Sequence, residues 1–354
     1  MSRTVFIVGA GASAEAGGPI MSNCFDKADA LRQAGQTDNA AASFALVFKA
    51  LHALNAAHAK ASIDVDNLEE VFGAFEMARL TAQLAGLNAD ELRELTPALR
   101  RVIVTTLDRS IQYPVSGDVV SPPQPYGRFG QIIQRMLRAD FGPISFITLN
   151  YDIALDYMLH HYALGTDYCF GAPQAGHMPL MKLHGSVNWA RCRVCGQVIP
   201  WHLSDFFRTH TFQVAMMLHQ SHSRRFPFGT TLAEFRHCDQ PCVPDAVIVP
   251  PTWNKAQYQE VGAVWEHAAR HLSEAENIFV IGYSLPRTDQ FFRYLYSVGS
   301  IGDARIKRFW VIDPAKPVGE RFDELLGPTT RGRFQHLQGT FGRAISELME
   351  LAPG

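Results

Sequence analysis

The chain has 354 residues, 47% of them hydrophobic, so it can form one large domain with insertions or two domains. Its formal net charge of −2 gives no reason to expect nucleic acid as a partner. The chain has no apolar stretch long enough to span a membrane and no secretory-signal pattern at its start. We therefore expect a cytoplasmic protein that does not engage a membrane.

The first predicted element is a buried strand that leads directly into a glycine-rich loop. Residues 4–8 are apolar and rich in β-branched side chains, and Gly-Ala-Gly-Ala-Ser follows at 9–13. Small residues at this place let backbone N–H groups approach a pyrophosphate, and the next helix points its positive end at the charge. A plain tight turn has the same pattern, so the loop predicts a phosphate site only together with motifs further along the chain.

The next part of the chain is predicted to be helical. Three segments carry apolar residues at nearly helical spacing, namely 40–61, 67–84 and 92–111. We expect them to form a helical insertion, residues 36–125, that lies beside a sheet. Ordinary core helices show the same periodicity. Three prolines at 122, 123 and 125 predict a loop before a further helix at 129–137.

The rest of the chain is predicted to alternate between strands and helices. Strands are predicted at 144–149, 180–183, 277–281 and 308–312, and helices at 261–272, 289–298 and 319–326. This alternation predicts an α/β fold with a doubly wound, parallel, Rossmann-like sheet, in one domain over residues 1–354. Ligands bind outside the carboxyl ends of such strands. The polar residues expected to meet there are Ser13, Asn150, Asp152, His184, Ser284 and Asp313.

Five short motifs occur in an order that resembles the sirtuin family. They are Gly-Ala-Gly-Ala-Ser at 9–13, Thr-Leu-Asn-Tyr-Asp at 148–152, Lys-Leu-His-Gly-Ser at 182–186, a four-cysteine module, and Ile-Gly-Tyr-Ser-Leu-Pro at 281–286. The resemblance runs from about residue 5 to about residue 313 and so covers most of the chain. It implies that NAD is the substrate and that the bond between nicotinamide and ribose is cleaved.

The resemblance also implies roles for single residues. His184 would be the general base, because imidazole titrates near neutral pH, and Asn150 would position the ribose hydroxyls or an attacking water. Asp152 would hydrogen-bond the nicotinamide carboxamide. The remaining NAD contacts would come from Gly9, Ala10, Gly11 and Ser13 at phosphate, Gly282 and Ser284 at phosphate or ribose, and Asp313 at the adenosine. A helix cap or a turn is the structural alternative for Asp152, His184 and Asp313.

A dehydrogenase is the main rival interpretation of the glycine loop. Its fingerprint permits the spacing found here but also needs a second strand that ends in an acidic residue about twenty positions later. Residues 21–35 look helical instead. Hydride transfer is therefore disfavoured.

Four of the six cysteines are spaced as a metal site. Cys192 and Cys195 form one pair, and after 42 intervening residues Cys238 and Cys242 form another. Four thiolates predict a closed structural zinc site, in a module spanning 190–250. A redox role for the first pair is less favoured, because no thioredoxin-like pattern surrounds it.

The second cysteine pair departs from the usual spacing of two intervening residues. A replaced ligand is therefore open, with His202 and His237 as candidates. The segment 201–237 between the pairs is rich in Phe and Met and is predicted to be a helical insertion.

The chain departs from the protein-deacylating sirtuins in several places. Residues 17–26 lack the acidic-aromatic-arginine stretch of that group, and the later glycine motif contains Tyr283. These features resemble divergent bacterial sirtuin-like proteins, many of which hydrolyse NAD in antiphage defence. The resemblance implies an NAD hydrolase, acting as an antiviral effector that a partner protein activates or assembles.

Two other functions stay open. An NAD-dependent lysine deacylase is one, because residues 250–254 lie where such an enzyme presents its peptide-binding segment. A regulatory protein that binds NAD or a related nucleotide is the other.

Overall fold

The computed structural model describes residues 3–56, 60–210, 214–216, 222–250, 259–287 and 289–351. Apart from Pro250, the predicted peptide-binding segment 250–254 lies outside these residues, as do Phe212, Met217 and Leu218 of the predicted helical insertion. None of the described helices is both long and apolar enough to cross a bilayer.

The strands, in chain order, are β1 (Thr4–Val8), β2 (Tyr113–Ser116), β3 (Val119–Val120), β4 (Ile144–Thr148), β5 (Thr166–Asp167), β6 (Met178–Lys182), β7 (Gly185–Ser186), β8 (Trp189–Arg191), β9 (Val198–Pro200), β10 (Val214–Met216), β11 (His222–Arg224), β12 (Arg236–His237), β13 (Gln240–Pro241), β14 (Val247–Ile248), β15 (Asn277–Ile281), β16 (Arg308–Ile312) and β17 (Phe334–Leu337). The helices are α1 (Ala10–Ala14), α2 (Cys24–Gln33), α3 (Ala41–Leu54), α4 (Leu68–Thr81), α5 (Ala89–Ser110), α6 (Tyr126–Arg138), α7 (Ala154–His161), α8 (Leu203–Thr209), α9 (Phe228–Thr231), α10 (Gly262–Ser273), α11 (Gln290–Gly299), α12 (Lys316–Leu325), α13 (Pro328–Arg331) and α14 (Phe341–Leu351).

A parallel seven-stranded sheet forms the centre of the molecule. Its strand order is β17-β16-β15-β1-β4-β6-β5, and β1 pairs with both β15 and β4. Every residue of β1, β4 and β15 is buried, because helices cover both faces of the sheet. The predicted α/β fold with a doubly wound parallel sheet is confirmed. All carboxyl ends of these strands lie on one edge.

Two hydrophobic cores support the sheet and the helical region. The first surrounds the sheet and contains Phe6, whose ring lies 5.1 Å from Phe129 and 5.2 Å from Phe279 between centroids. The second lies under α3, α4 and α5 and continues under the cysteine segment through Phe206 and Phe228. The helical region and the cysteine segment therefore share one core.

Local signals explain where the long helices begin. The Asn67 side chain accepts hydrogen bonds from two backbone N–H groups at the start of α4. Asn88 does the same for α5, and the Glu91 carboxylate accepts a hydrogen bond from the Asn88 backbone N–H. These capping contacts satisfy N–H groups that have no partner within a helix, so each helix begins directly after its asparagine.

Two stretches differ from the sequence prediction. The segment 201–237, predicted to be helical, contains α8 and α9 but also β10 and β11, which extend an antiparallel sheet with β2 and β3. The chain after residue 326, for which no element was predicted, adds β17 to the sheet edge and α14 beside α6. Both stretches take their structure from pairing with another strand: β11 pairs with β2, and β17 pairs with β16.

We predict that removing one partner of the buried ion pair between Lys182 and Asp156 strongly destabilises the fold. Both side chains are 0% exposed and their charged atoms lie 2.9 Å apart. Lys182→Met leaves a buried carboxylate without its cation, and we expect a loss of about 3–5 kcal/mol of unfolding free energy, measured by urea denaturation. The control Lys316→Met removes an exposed pair with Glu320 and should cost under about 1 kcal/mol. Equal losses in both variants would contradict this.

Candidate active site

Two glycine loops touch each other at the carboxyl edge of the sheet. The Gly9 N–H donates to Ile281 O at 2.9 Å, and the Gly11 N–H donates to Gly282 O at 2.8 Å. A Cβ on Gly9 would lie 2.6 Å from Gly282 O, and one on Gly282, whose φ is +61°, would lie 2.2 Å from Ala12 N. Only glycine permits this approach, since a side chain would collide with backbone.

A cavity of about 610 Å³ opens above these loops. The loops that follow β1, β4, β6, β15 and β16 line it, and α4 and α5 add apolar walls through Leu68, Phe72, Ile103 and Leu107. Eight predicted NAD-site residues line it, namely Ala10, Gly11, Asn150, Asp152, His184, Gly282, Ser284 and Asp313. Gly9 and Ser13 are not among the described lining residues.

In the Asn150 side chain the amide nitrogen has hydrogen-bond partners, whereas the amide oxygen has none among the described residues. Its Nδ2 donates to Gly9 O at 3.0 Å and to Ser13 Oγ at 3.2 Å. Its Oδ1 is buried, and no described residue donates a hydrogen bond to it. The residue is only 7% exposed and lines the cavity, so a ligand in the cavity can donate a hydrogen bond to this acceptor.

His184 also has a buried polar atom without a hydrogen-bond partner among the described residues. The residue is 5% exposed, and its Nε2 has no hydrogen-bond partner among the described residues. Its ring lies 6.2 Å from the Tyr151 ring and 6.4 Å from the Trp265 ring between centroids, and its carbonyl accepts the Val249 N–H at 2.8 Å. Burial lowers the pKa of His184, against the opposing charge of Asp289. The imidazole is therefore neutral near pH 7 and can accept a proton.

Asp152 lines the cavity, but both of its carboxylate oxygens have partners. Oδ1 accepts the Ala154 N–H at 2.9 Å at the start of α7, and Oδ2 accepts the Ser13 hydroxyl at 2.9 Å. Burial raises the pKa of Asp152, while Lys182 and these hydrogen bonds act in the opposite direction. The structure therefore contains the helix-cap contact, and the expected contact with a carboxamide stays a prediction.

Asp313, expected at the adenosine, and Ser284, expected at phosphate or ribose, both line the cavity. Asp313 Oδ1 accepts the Ala315 N–H at 2.8 Å, and burial raises the pKa of this carboxyl group. Ser284 is exposed, and its carbonyl accepts a hydrogen bond from Arg321 at 2.9 Å. Both side chains line the cavity, as predicted.

The charge of the cavity was not foreseen from the sequence. Seven carboxylates line it, namely Glu15, Asp64, Asp66, Glu69, Asp152, Asp289 and Asp313. The described lining residues include no lysine and no arginine. Such a lining favours a ligand with a positive group and leaves backbone N–H groups to hold any phosphate. The acidic residues at 64–69 come from the region that was predicted as a helical insertion beside the sheet.

The cysteine segment brings four ligand atoms together, but they are not the four cysteines. Sulfur atoms of Cys192, Cys195 and Cys238 and a ring nitrogen of His237 all lie within 4.8 Å of one another. His237 Nδ1 lies 3.7 Å from Cys195 Sγ and 3.3 Å from Cys238 Sγ. Cys242 is buried and is not a member of this group.

Three thiolates and one imidazole fit a structural zinc ion. In a tetrahedral site with Zn–S bonds of about 2.3 Å, neighbouring ligand atoms are roughly 3.7 Å apart, which is close to the separations around His237. All four positions would be filled by protein, so such an ion would hold the loops and leave no place for a substrate. His237 was one of the two replacement ligands considered from the sequence.

No protein-family model matches the chain, and no curated protein matches it either. Solved structures that match the chain include one on the mechanism and regulation of Sir2 enzymes. It has 13% identity and TM-score 0.42 and covers 99% of this chain and 92% of that one. A Sir2 homologue–NAD complex has 15% identity and TM-score 0.37 over 98% and 88%. A Sir2 protein bound to a propionylated peptide has 13% identity and TM-score 0.38 over 98% and 92%.

We predict that the purified protein holds about one zinc ion per chain, measured by elemental analysis. Cys195→Ser and His237→Ala should each lose most of the metal, because each removes one of the four clustered ligands. Cys169→Ser, at a buried cysteine outside the cluster, is the control and should keep it. If Cys242→Ser loses the zinc while His237→Ala keeps it, the ligand set is the four-cysteine one.

Proposed function

We propose that the cavity binds NAD and that the protein cleaves the bond between nicotinamide and ribose, with water as the acceptor. The observation that carries this proposal is the pair of open, buried atoms on one cavity, Asn150 Oδ1 and His184 Nε2. A buried polar atom without a partner costs about 1–3 kcal/mol, and ligand binding is a common reason for keeping one. Asn150 Oδ1 accepts a hydrogen bond, and His184 Nε2 accepts one when the ring proton is on Nδ1, so a ligand that brings hydroxyl or water protons suits both atoms.

The cavity suits a dinucleotide in size, and its carboxylates suit the cationic nicotinamide end of NAD. Its volume of about 610 Å³ lies within the usual range of small-molecule sites, about 300–1,000 Å³. The nicotinamide ring of NAD is cationic, and positive charge moves onto the ribose as the glycosidic bond breaks. The carboxylates that line the cavity would stabilise this charge without a proton donor for the leaving group.

The reaction needs few protein groups. The bond between the ribose carbon and the nicotinamide nitrogen breaks, and nicotinamide leaves with the electron pair as a neutral molecule. Asn150 Oδ1 would accept a hydrogen bond from the attacking water or a ribose hydroxyl and so hold it in place. His184 would take the proton that water releases when its oxygen bonds to the ribose carbon. The products are nicotinamide, ADP-ribose and one proton.

Water is the favoured acceptor because the place of the acidic-aromatic-arginine stretch is taken by other residues. Ile20, Met21 and Ser22 line the cavity there, and none of them carries a charge. Hydrolysis needs no peptide to complete the site. A protein of this kind would deplete NAD, which is the activity expected of the antiviral effector inferred from the sequence.

We predict that the wild-type protein releases nicotinamide from NAD without any peptide and forms free ADP-ribose. His184→Ala should lower the rate by about 10²–10⁴-fold, because the general base is lost. Asn150→Ala should also lose most activity. The control His271→Gln changes a buried histidine that does not line the cavity and should keep near wild-type turnover.

Liquid chromatography of the products with and without an acetyl-lysine peptide decides between the functions. Release only with peptide, with an acetylated ADP-ribose product, would make the protein a deacylase. No release under either condition would contradict NAD cleavage by the isolated chain.

We also predict the pH below which the rate of nicotinamide release falls. Since burial lowers the pKa of His184 below its ordinary value of 6.5, the base stays neutral and active as the pH falls to that value. The acidic limb of kcat/KM for nicotinamide release should therefore lie below pH 6.5, the ordinary value for histidine. A limb above that value would exclude His184, in this environment, as the group that titrates.

A further inference from the structure

Ser13 lies at the centre of a buried hydrogen-bond network below the cavity. Its Oγ is 2.9 Å from Tyr126 OH, 2.9 Å from Asp152 Oδ2 and 3.2 Å from Asn150 Nδ2. Ser13 is 1% exposed, so water does not compete for these contacts. A serine hydroxyl has one proton and two lone pairs, and three neighbours use all of them.

The directions of these hydrogen bonds follow from the count of protons. Ser13 gives its only proton to Asp152, and Asn150 Nδ2 donates into one Ser13 lone pair. The Tyr126 phenol must then be the donor in its contact with Ser13, since the Ser13 proton is already used. Burial raises the pKa of Tyr126, so the phenol keeps its proton at neutral pH.

We propose that Tyr126 is a positioning residue that fixes the orientation of the Asn150 carboxamide through Ser13. Asp152 holds the Ser13 proton, and Tyr126 occupies one of the two Ser13 lone pairs, so the other lone pair faces Asn150 and can only accept a hydrogen bond. Asn150 must therefore turn its Nδ2 inward and its Oδ1 towards the cavity. Without the phenol, one Ser13 lone pair is empty and the hydroxyl can turn about its hydrogen bond to Asp152, so the Asn150 carboxamide is held less firmly.

Tyr126 can act only through other residues. It is fully buried at the start of α6, its ring lies 5.6 Å from the Phe341 ring between centroids, and it is not among the described lining residues. The Gly9 carbonyl also holds Asn150 Nδ2, so loss of the phenol weakens the orientation without abolishing it. This inference about the reaction rests on the proposed NAD cleavage, whereas the effect on the Asn150 side chain does not.

The test compares Tyr126→Phe with Tyr162→Phe. The Tyr162 hydroxyl donates to Gly127 O at 2.7 Å in the same part of the molecule but has no link to Ser13. We expect Tyr126→Phe to lower kcat for nicotinamide release about 3- to 10-fold with KM nearly unchanged, the effect of one hydrogen bond. Tyr162→Phe should leave both constants within about 2-fold of wild type. The same loss in both variants would overturn the proposal.

A double-mutant cycle separates positioning from a general loss of packing. In a Ser13→Ala background the phenol loses its Ser13 partner and keeps only its contact with the Asn150 side chain, so Tyr126→Phe should add a clearly smaller loss in kcat than it causes in the wild type. Losses that multiply in the double variant would show that Tyr126 acts by another route and would overturn the proposal.

A spectroscopic measurement tests the positioning without any activity. In protein whose asparagines carry heavy nitrogen, the Asn150 side-chain NH₂ signal is assigned by its disappearance in Asn150→Asp. We expect this signal to move in Tyr126→Phe and to stay in place in Tyr162→Phe. An unmoved signal in Tyr126→Phe would overturn the proposal. If the wild type releases no nicotinamide, the proposed function fails and this signal alone decides on Tyr126.

Discussion

The contact between the two glycine loops is the constraint on which the whole site depends. Gly11 and Gly282 touch through backbone atoms, which brings together the carboxyl ends of β1 and β15 with no side chain between them. Asn150 then reaches from the end of β4 to the Gly9 carbonyl. The floor of the cavity is therefore built from main chain, and its N–H groups at Gly9 and Gly11 are already used. The glycines serve the approach of one loop to another more directly than they serve a phosphate.

Hydrogen-bond saturation explains why the cavity has so few open polar atoms. Ser13, Asp152 and the Nδ2 of Asn150 satisfy one another or nearby backbone, so they cannot turn towards a ligand. Around Asn150 and His184, the described residues leave one buried carboxamide oxygen and one buried imidazole nitrogen without a partner. Groups held in this way need little reorganisation when a substrate arrives, which is the usual advantage of a preorganised site. The Ser13 hydroxyl is used within this network, and the role of Ser13 at phosphate stays a prediction.

The sequence predicted those features that depend on neighbouring residues. The strands at 277–281 and 308–312 are confirmed to the residue, because each is a short apolar run with polar residues directly after it. Features that depend on distant partners were not predictable. The partner of Ser13 in α6 lies more than a hundred positions away, and β10 and β11 form only because β2 is beside them. His237 was considered as a ligand, but only the turn between β12 and β13 places it among three sulfur atoms.

His184 and the cysteine cluster lie beside two short antiparallel strand pairs, β7 with β14 and β8 with β9. The His184 carbonyl accepts a hydrogen bond from the Val249 N–H, and β7 pairs with β14. Cys192 directly follows β8. If a metal ion at the cluster changes the affinity of the cavity for a ligand, thermodynamic linkage requires that the ligand changes the affinity of the cluster for the metal by the same factor.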